Sequence, residues 1–143
     1  MAENMSLVYE NIEKEMSKYS KKYKDYDKKD FTCFKEIKKT INNSSIPTKE
    51  EIIEELKKVQ DPELFFDVYT LGFIYDIIID DNNIIIIMTL TSPACFAAQV
   101  LPEEVVDVVS KLENVEKCGL ILTFEPQWIP DLMDENVRIG FGF

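Results

Sequence analysis

The chain contains no histidine. A Cys-His or Ser-His nucleophile pair is therefore excluded within it, as are a His-ligated zinc and a His-Glu metalloprotease helix, because each needs an imidazole as base or ligand. Cysteine is scarce: Cys33, Cys95 and Cys118 are an odd number with no Cys-x-x-Cys spacing. Such usage suits reduced thiols in a cytoplasmic protein better than a disulfide framework. Long apolar runs are missing too. The longest, Ile84 to Met88, is far short of the ~20 residues that cross a bilayer. The first residues, Met1 to Glu15, have neither the basic start nor the apolar stretch of a signal peptide. Secretion and membrane insertion are not expected.

Basic charge is short where the folding signals are strongest. Residues 46–143 hold five Lys and one Arg against nineteen acids, a net of −13, while residues 1–45 hold ten Lys against eight acids. Nucleic-acid binding rests on Lys and Arg displacing counterions from phosphates, so the acidic part would be repelled by such a partner. Direct nucleic-acid binding is disfavoured.

What remains is an ordinary globular composition, with 45% hydrophobic and 30% charged residues in 143. A domain near this size buries roughly 68–70% of its unfolded surface, enough for a core without disulfides. The first 45 residues read as a helical appendage. Leu7, Ile12, Met16, Tyr19 and Tyr23 form one apolar stripe at helical spacing, the helix ending in the charged stretch Lys24 to Asp30. Phe31 to Ile41 reads as a second short helix, and Asn42-Asn43-Ser44-Ser45 as a linker.

From Pro47 onward the chain reads as one domain, residues 46–143. Thr48 with Glu51 predicts a capping box opening a helix whose buried face is Ile52, Ile53, Leu56 and Val59. Asp61-Pro62 stops it. Ile74 to Ile79 and Ile84 to Thr91 are β-branched runs around a polar turn, a hairpin signal; both are apolar on consecutive positions, so part of the sheet is expected to be covered on both faces. Ser92-Pro93-Ala94 breaks the second strand. A helix with Leu101, Val105, Val108 and Leu112 on one face follows, with Pro102 in its first turn. Gly119 to Glu125 is a third strand, and Asp134 caps a last helix through Arg138. The predicted fold is α/β of the α+β kind: a small mixed three-stranded sheet with packed helices in the order α-β-β-α-β-α, plus the N-terminal appendage. The last two strands, joined by a helix, should be parallel.

Cys95 is the first candidate for chemistry, because it sits between a strand end and a helix start, where unpaired backbone N–H groups favour a thiolate. The same position also suits a buried apolar cysteine. Asp61 and Glu63 are either acids at a helix stop or carboxylates held near Cys95. Thr89 and Thr91, two apart, would point to one face near the strand end leading to Cys95. Trp128 between Pro126 and Pro130 is either a core lid or, if exposed, a partner anchor. Cys33 and Cys118 read as structural.

Asp61-Pro62-Glu63, Leu71-Gly72-Phe73-Ile74-Tyr75-Asp76, Thr89-Leu90-Thr91-Ser92-Pro93-Ala94-Cys95 and Pro126-Gln127-Trp128, in that order, resemble the SufT/PaaD-like iron–sulfur cluster assembly domain family. The resemblance covers about residues 48–139. It implies a small α/β domain with an active cysteine at Cys95, acting in the delivery of iron–sulfur clusters, usually through partners: the assembly machinery and client apoproteins. Two positions depart from the family pattern. Thr70 stands where an acid usually precedes Leu-Gly, and Phe96 where proline commonly follows the cysteine. The cysteine-rich C-terminal extension of the phenylacetate-pathway members is not found after Trp128, and no Gly-x-x-x-x-Gly-Lys loop of the ATPase fusions is present.

A cluster normally takes four protein ligands, usually thiolates, and three cysteines without histidine cannot supply them. The expectation is therefore a transient cluster, with Cys95 as a metal ligand shared with a partner or a second protomer of a homodimer, and none held stably by one chain. An alternative is a cluster-free adaptor that binds proteins through the acidic surface and the N-terminal stripe. A thiol enzyme is disfavoured, because its nucleophile would lack a histidine base.

Overall fold

The computed structural model describes residues 2–19, 25–36 and 45–142, and the expected positions of Tyr23, Lys24, residues 37–41 and the linker residues 42–44 lie outside them. Helix α1 (Ala2–Met16) is followed by β1 (Cys33–Glu36), α2 (Lys49–Leu56), β2 (Ile74–Asp80), β3 (Asn83–Met88), α3 (Leu101–Ser110), β4 (Lys117–Leu122) and α4 (Glu135–Gly140). The four strands form one mixed sheet in the order β1-β4-β3-β2. Residues 46–142 fold in the predicted order α-β-β-α-β-α, and β3 and β4 are parallel as expected.

Local chemistry explains most elements. In α2, the Thr48 side chain accepts from the Glu51 N–H at 3.1 Å while the Glu51 carboxylate accepts from the Thr48 N–H at 3.2 Å, the reciprocal box the sequence predicts. The hairpin of β2 and β3 turns at Asp81, whose φ of 53° lies in the left-handed region that aspartate tolerates. Asn82 then secures the turn by donating to the carbonyls of Ser45 and Asn114. Asp134 caps α4 by accepting from the Asn136 N–H.

Side chains opposed across a ladder share a face, which fixes what covers the sheet. Lys35 lies opposite Cys118 and pairs with Asp107 of α3 at 3.0 Å, so α3 covers the face of Cys33, Cys118 and Ile84. Gly119 faces the other way, and the Phe31 ring stands where its Cβ would be, 2.5 Å from the nearest ring carbon. Ile84 to Met88 are wholly buried, as a central strand covered on both sides requires. Burying such side chains stabilises by roughly 1.5–3 kcal/mol each.

The N-terminal region corrects the reading in three ways. Cys33–Glu36 is an edge strand rather than part of a helix, antiparallel to β4, with the Thr32 N–H donating to Leu120 O at 2.7 Å. Among the described residues the sheet therefore has four strands, not three. Leu7 is 64% exposed, because the inward stripe runs through Val8, Ile12 and Met16, four residues apart. The described residues of α1 and of 25–36 thus supply a strand, a face cover and part of the core, not only helix. Smaller corrections concern β3, which ends at Met88 rather than Thr91, and β4, which begins at Lys117 and ends at Leu122. The buried face of α3 is Leu101, Pro102, Val105, Val106 and Val109, with Val108 and Leu112 only half-buried.

Candidate functional site

Cys95 lies in the connection from β3 to α3. The chain leaves β3 at Met88, and the Ser92 hydroxyl accepts from the Ala94 N–H while the Ser92 carbonyl accepts from the Cys95 N–H. These two bonds turn the backbone so that Cys95, at φ −66° and ψ 132°, precedes a single 3-10 turn over Phe96–Gln99. Helix α3 begins only at Leu101. This is the start that Pro102 in the first turn of the predicted helix implies, six residues beyond the thiol, so Cys95 does not stand at the N-terminus of α3 itself. The thiol is half-buried rather than sealed, and its neighbour Phe96 is 64% exposed.

The other two thiols lie in the sheet, Cys118 buried in β4 and Cys33 half-buried on the edge strand β1. Cys118 is fully buried in β4, and burial pushes its ionisation upward, with Cys33 adding to the effect. Cys33 is raised from the ordinary 9.0 to about 12, first by burial and then by the Glu103 and Asp107 carboxylates. The thiolate is the nucleophile and the metal ligand, so the raised ionisation disfavours both in that role at neutral pH. Iodoacetamide added to the native protein near pH 8 is expected to mark Cys95 alone, whereas denatured chain takes label on all three cysteines; peptide mass analysis reads the difference. The linked stability effect has a definite sign. An unfolded Cys33 ionises near 9.0 and the folded one near 12, so this contribution is intact below pH 9.0 and is lost as pH rises towards 12.

The two acids sit on one loop after α2. Asp61 is only 3% exposed, and its Oδ1 accepts from the Glu63 and Leu64 N–H groups at 2.8 Å each. Its N–H donates to Phe66 O and its carbonyl accepts from the Phe65 N–H, both at 2.9 Å. Asp61 therefore organises its own loop. Glu63 is exposed on that loop. Among the described residues no hydrogen bond joins the Cys95 thiol to either carboxylate, and no group of three or more Cys, Asp and Glu side chains is close enough to hold a metal ion. The loop does reach the same end of the sheet as Thr89, through a backbone relay: Thr89 N–H to Phe73 O, Phe73 N–H to Val68 O, and Val68 N–H to Val59 O, at 2.8, 3.0 and 2.9 Å.

Thr89 and Thr91 do not form the expected pair. Alternation stops where β3 ends, and Thr89 is fully buried while Thr91 is half-exposed. The Thr89 hydroxyl meets Tyr75, a residue that residue-by-residue reasoning passed over although it stands alone as a polar-tipped ring in an isoleucine run. Tyr75 donates to Pro126 O at 2.6 Å, and burial holds its hydroxyl up at about 12, so it remains a donor. Trp128 is a lid, not an anchor: it is 9% exposed, donates from Nε1 to Leu71 O at 2.8 Å and meets Phe73 edge-on at 5.6 Å. A groove of about 870 Å³ opens elsewhere, between α1, the Tyr69–Tyr75 stretch and Asp131–Arg138, and Cys95 is not in its walls.

The class defined so far is a small α+β domain with one thiol buried in its sheet, one half-buried on its edge strand and one half-buried on a loop. No helix among the described residues is long and apolar enough to cross a membrane. Residues 49–119 match the family described as "Iron-sulfur cluster assembly protein". The chain is 38% identical over 104 residues to an "Fe-S protein maturation auxiliary factor" of Porphyromonas gingivalis, covering 72% of this chain and 99% of that one. It is 35% identical over 95 residues to the "Fe-S protein maturation auxiliary factor YitW" of Bacillus subtilis, covering 66% and 93%. A conserved hypothetical protein of Thermotoga maritima superposes with a TM-score of 0.63 at 39% identity, over 71% of this chain and 100% of that one. The chain belongs to the iron–sulfur cluster assembly protein family.

Proposed function

We propose that this protein assists the maturation of iron–sulfur proteins, with Cys95 as the single thiolate through which a cluster passes from a donor to a client apoprotein. The observation that supports the reading is the unequal setting of the three thiols: Cys118 is fully buried, Cys33 is half-buried on the edge strand with burial and the Glu103 and Asp107 carboxylates pushing its ionisation up to about 12, and Cys95 lies half-buried on a loop. One sulfur is too few to retain a cluster that normally takes four protein ligands, so the remaining ligands come from the donor, the client or a second protomer. The cluster is cargo, not a resident cofactor.

The step is ligand exchange without redox change. The Cys95 thiolate forms an iron–sulfur bond as a donor thiolate leaves, and the departing sulfur takes up a proton. A client thiolate then displaces Cys95 in the same way. The buried Asp61 shapes the neighbouring loop and takes no part in these bonds, and the absence of histidine leaves no conventional base for a thiol enzyme.

An anaerobic transfer assay tests this. Cluster-loaded donor and client apoprotein are mixed with and without the chain, and the client's visible absorption and enzyme activity are followed. The expected result is faster appearance of both with the chain present. No acceleration at any ratio of chain to client overturns the transfer reading and favours the cluster-free adaptor.

A further inference from the structure

Loop 61–66 holds a strained aromatic residue in solvent. Phe65 has a φ of 64°, in the left-handed region where a bulky side chain is penalised and glycine or asparagine is the ordinary occupant. Phe65 is 74% exposed, so packing among the described residues does not explain why phenylalanine stands there. The conformation is held from below, by the four hydrogen bonds of Asp61 to Glu63, Leu64, Phe65 and Phe66. The adjacent Phe66, 41% exposed, meets the Phe141 ring edge-on at 5.4 Å, and Phe141 is itself 37% exposed. The Phe66–Phe141 contact thus joins the loop to the C-terminal end of α4, with Phe65 next to it in the chain, and backbone strain at an exposed residue clusters where a surface meets a ligand.

The charge around it selects the partner. Of the five acids in residues 61–67 and 134–142, Asp61 is buried and Asp67 half-buried, each bonded within its own turn, and the cations beside the other three are Arg138 and Lys57, which line one groove with Asp134 and Glu135. Glu63, Asp134 and Glu135 are exposed. We infer that Phe65, Phe66 and Phe141 form a docking surface for a partner-protein segment that carries apolar anchors flanked by lysine or arginine. Aromatic side chains supply much of the binding energy at protein interfaces, and a charged rim sets orientation and association rate. The inference stands apart from the role given to Cys95, because it needs only the loop, the end of α4 and the charge around them.

The test uses the full chain and a synthetic peptide built of Lys, Leu and Phe, with a Lys and Ser peptide as control. Binding is followed by amide chemical shifts and calorimetry. The Lys/Leu/Phe peptide is expected to shift Phe65, Phe66 and Phe141, and Phe65→Asn should weaken it by about tenfold or more while leaving Tm unchanged or higher, since asparagine tolerates this φ. Any of four results overturns the proposal: no binding, equally tight binding of the Lys/Ser peptide, shifts confined to other surfaces, or binding untouched by Phe65→Asn. A lowered Tm in Phe65→Asn assigns the ring to folding instead. Self-association of the wild type that Phe65→Asn abolishes gives the surface to a second copy, which also overturns it.

Discussion

Cys95→Ala is expected to leave a folded protein that no longer supports its client iron–sulfur enzymes. The two halves of this expectation rest on different observations. Cys95 is half-exposed and outside the regular elements, with its backbone N–H and carbonyl bonded to Ser92 and Ala98 whatever the side chain. Removing one partly buried sulfur costs about 1 kcal/mol or less, so Tm should move by only a few degrees. Client activity should fall to the level seen without the protein, because the raised ionisation of the other two thiols disfavours them as replacements. Cys95→Ser should fail equally, since a hydroxyl is a poor substitute for a thiolate on iron. Client activity in cells that carry each variant as their sole copy, beside a thermal melt of each purified variant, checks both halves. Full activity in either variant removes the thiol from the mechanism.

Gly72→Ala should produce the largest loss of stability. Gly72 has a φ of 77°, and a Cβ there would stand 2.3 Å from the Leu132 carbonyl oxygen, a backbone atom that cannot swing aside. The contact lies where two segments are stitched together: the Trp128 Nε1 donates to Leu71 O, and the Asp134 N–H donates to Thr70 O, each at 2.8 Å. An alanine must adopt the left-handed backbone, at about 1–2 kcal/mol, and push the Leu132 turn outward, at about 1–3 kcal/mol. A loss of ~2–5 kcal/mol lowers Tm by roughly 6–20 °C in a chain of this size. A Gly72→Ala protein melting within a degree or two of wild type would show that the segment gives way freely.

The same stitching explains why some of the fold was legible in the sequence and some was not. Thr48 with Glu51, the polar turn between two isoleucine runs, and a helix between β3 and β4 are local signals, and local chemistry decides them. Cys33–Glu36 has no such signal. Its four residues become a strand because β4 offers a ladder and Phe31 fills the space over Gly119, so tertiary contact overrides a helical pattern. The candidate site divided along the same line. That Cys95 follows a strand end was readable from Ser92-Pro93-Ala94. The direction of the Asp61 carboxylate was not: sequence spacing to Cys95 says nothing about which backbone amides the carboxylate meets, and it closes on its own loop. Nor could the sequence show the strain at Phe65, because φ is a property of the folded loop.

The most direct measurement is the alkylation rate of Cys95 while a cluster is in transit. The chain is mixed anaerobically with cluster-loaded donor and client apoprotein, pulsed with iodoacetamide, and compared with the same mixture lacking the cluster. If the Cys95 sulfur bonds to iron during transfer, its labelling slows in proportion to the loaded fraction and recovers once the client is filled. Labelling of Cys95 at an unchanged rate while the client gains its cluster would show that the metal passes by without touching this sulfur.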